Sequence, residues 1–591
     1  MTLFNQLQSL ESSGLVQLAQ AQPELEYLFR HALVQEAAYH SLVKNDRRRL
    51  HVDVGLALER AFPDRRAELA PVLAHHFDQA GDAERALRYS IAAADHAAHQ
   101  YANAEAVLHY GRAISLAGQL PDVSVEQWIH LYLSLCEALR LNGRYAEALD
   151  RYIEMERLAL GRADRRMELA ALVERATIHA TPTPVQDAPL GRQLLDRALG
   201  LARSLQDRSA ESKIYWVFAL LYLFSGDSRR AVEHGERSLA LARELDLREQ
   251  LAFTLNDLSN AYMFDNQLDR SLAAAQEARG LWQSLGHLPM LADSTAILCR
   301  LQHYAGYLPA SVSSGEEALR ISRQIRNEWG QSHSLGMLGY PYLELGQVSL
   351  ALQAWEAALE LAQTSGLVAA LVGIRADLAW AYAVLGAHER AWRCAELALQ
   401  ATETGMSHWR AWPIAVLARI HLRRNRVVEA EALLREGCAE ALPEYYGRLL
   451  WSGATTVGLA HGELAIARRD AARAAAVANE LLAHLRPQNA RVFVPDALFL
   501  KGKALLALDR PDDAHAALAE ARALVEVMSA QRNLWSICIA LSEIEARRGR
   551  RDEVESLRRQ ARESVARLAG QCPPDLQASF LDLPEVRNGT A

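Results

Sequence analysis

Chemistry would be sought first where serine, histidine and cysteine gather. Gly330-Gln-Ser-His-Ser-Leu-Gly336 places two serines beside a histidine, the residue types of nucleophilic catalysis. The chain has no G-x-S-x-G turn to expose such a nucleophile, and the segment falls at the start of a repeat helix, where serines pack. His75 and His76 are adjacent and point to different faces of a helix. His96 and His99 are three apart and can share a face, but a metal site needs further ligands at tetrahedral spacing. Cys136, Cys299, Cys394, Cys438, Cys538 and Cys572 show neither zinc nor redox spacing and read as reduced thiols. No G-x-x-x-x-G-K-[ST] phosphate loop occurs, and Lys501-Gly502-Lys503 lies inside a repeat helix. These residues point to no enzyme, no cofactor and no metal.

Side chains that could bind rather than react are ordered by a repeat. Turn-forming positions recur at Gly81, Gly143, Gln186, Gly226, Asn266, Gly306, Gly346, Gly386, Asn425, Arg469, Asp509 and Gly549, mostly 40 residues apart. The gap between Gly81 and Gly143 leaves room for an extra helix near 101–117. Seven residues before the turn the side chain is small (Ala219, Ser259, Cys299, Gly339, Ala379), with His179 the exception. Five after it comes Ala231, Ser271, Ser311, Ala351 or Ala391, and twelve after it Ser238, Ala278, Ala318, Ala358 or Ala398. Two antiparallel helices approach closely only where both are small. Rings four residues before the turn (Phe77, Tyr222, Tyr262, Tyr342, Tyr382) fill the wedge between helices.

A small residue, a ring, a turn glycine and spaced alanines make the chain resemble the tetratricopeptide repeat family, most closely in LGMLGYPYLELGQVSLALQAWEAA (335–358). The period near 40 departs from that family's 34 and calls for longer helices. The resemblance implies an all-α, right-handed superhelical solenoid of about 12 helical hairpins. It also implies that first helices line a concave channel holding Lys213, Trp216, Asn256, Asn260, Arg300, His303, His333, Tyr340, Trp380 and Arg419, with Phe253, Met263, Asp293 and Trp412 among them. The amides of Asn256 and Asn260, one helical turn apart, suit an extended peptide backbone. Arg300 and Arg419 suit carboxylates. Pro341, inside a helix and flanked by Gly336, Gly339 and Tyr340, is expected to deform its unit and open a pocket.

Residues 1–62 lie outside the repeat. A helix, two short strands around Gln22-Pro23 and two further helices suggest a winged-helix-like linker unit, followed by the array at 63–570 and a tail at 571–591. LEYLFRHALVQEAAYHSLVKNDRRRLH (25–51) and LAHHFDQAGDAERALRYSIAAADHA (73–97) resemble bacterial STAND or AAA-type ATPase–cyclase signalling proteins, as does LQASFLDLPEVR (576–587). In that class this linker joins the ATPase to tetratricopeptide repeats. The resemblance implies a sensor module without its ATPase or cyclase, binding a protein, a peptide or a small effector and working with a separate ATPase or cyclase. The alternative is a DNA-associated regulator using the first sixty residues. Their six Lys+Arg against seven Asp+Glu, and the net charge of −8, argue against nucleic acid. No basic start precedes an apolar run and no stretch is long enough to span a bilayer, so the expectation is a cytoplasmic protein without a membrane partner.

Overall fold

The computed structural model describes residues 3–20, 26–365, 368–404, 406–446 and 448–590. The chain divides into two compact units, Met1–Arg144 and Tyr145–Ala591, and each is described by itself.

The first unit opens with α1 (Leu3–Ser12), an antiparallel hairpin of β1 (Val16–Gln20) and β2 (Glu26–Phe29), α2 (Ala32–Ser41) and α3 (Lys44–Ala61). Val16 pairs with Phe29 and Leu18 with Tyr27; the turn expected at Gln22-Pro23 lies outside the described residues. Helix, hairpin and two helices follow in the expected order. Yet Val16 is the one buried residue before His51 among those described, so these elements share little core of their own. Then come α4 (Ala70–Ala80), α5 (Ala83–His99), α6 (Asn103–Ala117) and α7 (Val125–Leu141). Helix α6 is the extra helix that the long gap in the repeat required.

The second unit is a run of helical hairpins. It begins with α8 (Tyr145–Gly161), then α9 (Arg165–Ala180) and α10 (Ala188–Ser204), α11 (Arg208–Phe224) and α12 (Ser228–Glu244), α13 (Arg248–Phe264) and α14 (Leu268–Leu285). It continues with α15 (Leu288–Tyr304) and α16 (Leu308–Gln324), α17 (Glu328–Glu344) and α18 (Val348–Ser365), α19 (Val368–Val384) and α20 (His388–Thr404), α21 (Ala411–Arg423) and α22 (Val427–Gly437). The array ends in α23 (Trp451–Ala467) and α24 (Ala471–Leu485), α25 (Val494–Ala507) and α26 (Pro511–Val527), α27 (Leu534–Arg547) and α28 (Arg551–Gly570). The short α29 (Pro574–Leu581) and α30 (Pro584–Thr590) close the chain, with Phe580 and Val586 buried.

Local chemistry explains the hairpins. The turn residue takes a left-handed backbone at Gly226, Asn266, Gly306, Gly346, Gly386 and Asn425, as a helix stop requires. Asp227 and Asp470 then accept a backbone N–H three residues on, starting the second helix. The turns between hairpins repeat the same left-handed stop at Gln206, Asp246, Gly286 and Arg326, again 40 apart. The small positions before and after the turn meet. Ser271 Oγ donates to the Ser259 carbonyl and Ser311 Oγ to the Cys299 carbonyl, each at 2.6 Å. The ring before the turn reaches back one hairpin. Tyr262, Tyr342 and Tyr382 hydrogen-bond Glu236, Glu316 and Glu356, each 26 residues earlier.

First helices of successive hairpins pack on one another, α15 on α17 and α21 on α23 most closely, so the array curves with first helices inside. The curvature brings the chain back on itself after about five repeats. Trp451 Nε1 donates to Asn266 Oδ1 at 2.9 Å across 185 residues, and Ser349 Oγ to the Gln571 carbonyl at 2.7 Å across 222. Arg532 bridges Glu344 and Asp496 at 2.7 and 2.6 Å, largely buried. No described helix is long and apolar enough to cross a membrane.

Candidate functional site

The inner wall of the second unit is a ladder of polar rungs between consecutive first helices. Trp216 Nε1 on α11 donates to Asp257 Oδ2 on α13 at 2.7 Å. Asn256 Nδ2 donates to Asp293 Oδ2 on α15 at 2.8 Å, and His333 Nδ1 on α17 stands 3.1 Å from Asp293 Oδ1. Arg300 Nη2 donates to Asn260 Oδ1. Tyr340 Oη donates to Asp377 Oδ2 on α19 at 2.8 Å. Arg419 on α21 makes a two-pronged pair with Glu463 at 2.9 and 2.7 Å while its guanidinium lies 3.4 Å from the centre of the Trp380 ring. Lys213 pairs with Glu174. The partners sit 37 to 44 residues apart, one repeat along.

Sequence reasoning named both sides of the Asn256–Asp293, His333–Asp293 and Arg300–Asn260 rungs but only one side of the others. Asp257, Asp377 and Glu463 went unnoticed. The available signal was an acid on a largely apolar helix, one repeat from an aromatic donor or an arginine. The expectation of a freely lined channel needs correction. Asn256, Arg300, His303 and Arg419 are 1 to 9% exposed because they bond across to the next helix or pack against later repeats. Met263 is buried in the core that also holds Tyr304 and Trp451. Trp412 is fully buried, because Gly373 and Gly453 leave slots for its ring; a Cβ at Gly453 would stand 2.9 Å from it. Lys213, Trp216, Phe253, Asn260, Asp293, His333, Tyr340 and Trp380 keep part of their surface open.

Electrostatics mark the wall. Burial pushes the Asp257 carboxyl up to about 7, with the Asp293 charge adding to it and the Trp216 and Asn256 donors opposing. Burial likewise pushes Asp377 up to about 7 against the Tyr340 hydroxyl. His303 is driven down to about 3, first by burial and then by the Arg532 charge, so its ring is neutral between Tyr340 and Phe493.

Pro341 is accommodated rather than disruptive, which corrects the pocket expected there. Helix α17 runs through it from Glu328 to Glu344. The space at Gly339 is filled by Trp355, whose Nε1 donates to the Gly336 carbonyl at 3.0 Å, and the space at Gly336 by Ile374. A Cβ at Gly339 would stand 2.2 Å from that indole. In the neighbouring serine–histidine stretch, Ser332 and Ser334 donate to the Ala358 and Gly330 carbonyls, so both hydroxyls serve packing.

In the first unit the basic run spreads over separate contacts. The Arg47 guanidinium lies 5.1 Å from the centre of the Tyr39 ring, Arg49 stands 4.0 Å from Asp53, and Arg48 lies beside Gly81. His75 and His76, expected on different helix faces, both approach His51, with ring centres 5.9 and 5.1 Å away. Among the described residues no group of three or more His, Cys, Asp or Glu is placed to hold a metal ion, and all six cysteines are free thiols.

No family model and no curated protein matches the chain. Among solved structures it is similar to a Rap protein complexed with competence and sporulation factor, at 12% identity over 68% of this chain and 99% of that one, TM-score 0.45. It is similar to a STAND protein with a tetratricopeptide repeat sensor from Pyrococcus horikoshii, at 15% identity over 65% of this chain and 55% of that one, TM-score 0.39. It is also similar to aspartyl phosphate phosphatase F from Bacillus subtilis, at 13% identity over 68% and 95%, TM-score 0.38. The repeat itself is read from this chain's own geometry.

Proposed function

We propose that the chain is a non-catalytic interaction and sensor module of a bacterial signalling or regulatory system, taking a peptide or protein segment on the inner wall of its helical array. The observation that carries this reading is the ladder. It sets aromatic rings and hydrogen-bonding groups in register over five consecutive first helices, while Trp216, Asn260, His333, Tyr340 and Trp380 keep an open edge. A peptide segment seated on that edge meets ring faces and hydrogen-bonding groups of the first helices.

The first unit is read as the link to a separate ATPase or cyclase, in the cytoplasm. Among the described residues up to Val54 it exposes nine large apolar side chains, among them Leu28, Leu33 and Val43 at 49 to 78%.

The test is co-purification of a partner by the full chain, against a variant carrying Trp216→Ala, His333→Ala and Tyr340→Ala whose melting curve shows a folded array. Loss of the partner by the folded variant is the expected result. Equal capture by both overturns the wall as the working surface.

A further inference from the structure

Helices α13 and α15 carry two rungs of opposite character. On the first, Asn256 donates to Asp293, and the neighbouring Asp257 accepts from Trp216. Asp257 has no ion-pair partner among the described residues, and the contact of Asp293 is with His333. Asn256 is 1% exposed and aimed into this pair of acids, and its Oδ1 has no hydrogen-bond partner. On the second rung stands Arg300, 9% exposed, with Nη2 on an uncharged amide oxygen, Nε without a partner and no carboxylate paired to it among the described residues. A guanidinium does not shed its proton, so a buried one without a counter-anion is costly. The nearby acid, Asp377, is engaged by the Tyr340 hydroxyl.

The two rungs are in fixed register. Asp293 and Arg300 lie seven residues apart on one helix, two turns along the same face, which is about 10.5 Å. An extended peptide advances about 3.3–3.6 Å per residue, so this separation matches about three residues. Trp216 and Phe253, ring centres 5.5 Å apart, stand at the acidic end, where aromatic faces favour a cation.

We propose that this wall holds a dipolar peptide segment, an ammonium at Asp257 and Asp293 and a carboxylate at Arg300, the two charges about three extended residues apart. The proposal rests on the peptide-binding reading above and gives it a ligand chemistry. The charges come either from the two termini of a short peptide or from side chains within a longer one.

The test is calorimetric titration of the full chain with trialanine, with its N-acetyl and C-amide forms, with dialanine and pentaalanine, and with doubly blocked Ac-Lys-Ala-Glu-NH2. If termini supply the charges, trialanine binds most tightly of the length series, and blocking either end weakens it about tenfold or more. If side chains supply them, the doubly blocked Lys-Ala-Glu peptide binds instead. Either pattern supports the proposal. Asp293→Asn then removes the penalty for losing the cation, and Arg300→Met the penalty for losing the carboxylate. The comparison among peptides is read on the parent chain alone, so it stands even where a variant folds poorly. Absence of binding by all of these peptides, or binding indifferent to both charges, overturns the proposal. A partner still lost from the Trp216, His333 and Tyr340 variant would in that case leave the broader reading intact.

Discussion

Asp377 shows what single residues contribute. Its carboxyl is raised to about 7 because burial disfavours the ion more than the Tyr340 hydroxyl favours it. The folded chain therefore holds this proton more tightly than the unfolded one, whose aspartates titrate near 4. The group contributes stability that is fully present below about pH 4 and is lost as pH rises through about 7. Asp377→Asn keeps an acceptor for Tyr340 without the charge. Relative to the parent it should gain stability between pH 5 and pH 8, by order of 2 kcal/mol at the upper end. Denaturant unfolding at several pH values measures this, and a pH-independent difference would contradict it. The sequence made half of such sites readable. Donors and rings such as Trp216, Tyr340 and Trp380 stood out by type and register, whereas Asp257 and Asp377 did not. Their meaning lies in partners 41 and 37 residues away, which no local pattern shows. Trp412 misled for the same reason, since the glycines that admit its ring lie on two other helices.

At the scale of elements the hairpin is almost wholly local, and most of it was legible. Small residues before and after each turn, the left-handed stop and the aspartate cap all lie within about one hairpin of sequence. Helix α17 is the instructive departure. Proline and two glycines suggested a deformed helix with a pocket, but Gly339 admits the Trp355 indole, Ile374 fills the space at Gly336, and the helix continues to Glu344. Gly339→Ala therefore trades a better helix former for a collision with a buried ring. It should destabilise the array by about 1–3 kcal/mol in denaturant unfolding. An unchanged or higher midpoint would show that the indole yields, and that the slot is not tight. The first sixty residues show the opposite limit. Their elements follow the sequence, but a shared core is not readable from element order, and the structure gathers little of one.

For the array as a whole, winding is set by small rotations that add up over many hairpins, and it escapes sequence reasoning. Contacts between residues 185 to 222 apart close the curl after about five repeats. They bury Glu344, Arg532 and Asp496 together, with Glu344 raised by burial and drawn back by the Arg532 charge. Removing Arg532 leaves two buried carboxylates facing each other. Arg532→Met should cost about 3–5 kcal/mol and increase the radius of gyration in X-ray scattering as the curl loosens. Unchanged dimensions would mean that the apolar contacts hold the curl without the ion pairs. The same winding explains why His303 and Met263 are shut in while the edge at Trp216, His333 and Trp380 stays open.

The claim that the inner wall is the working surface is tested most directly by site-specific photo-crosslinking. A photoreactive side chain is placed in turn at Trp216, at Trp380 and, as controls, at the exposed outer positions Leu397 and Val428. Irradiation of the full chain with its co-purified partner should give a covalent adduct from the first two positions and none from the last two. Adducts from Leu397 or Val428, with none from Trp216 and Trp380, would place the partner on the outer face and contradict the account.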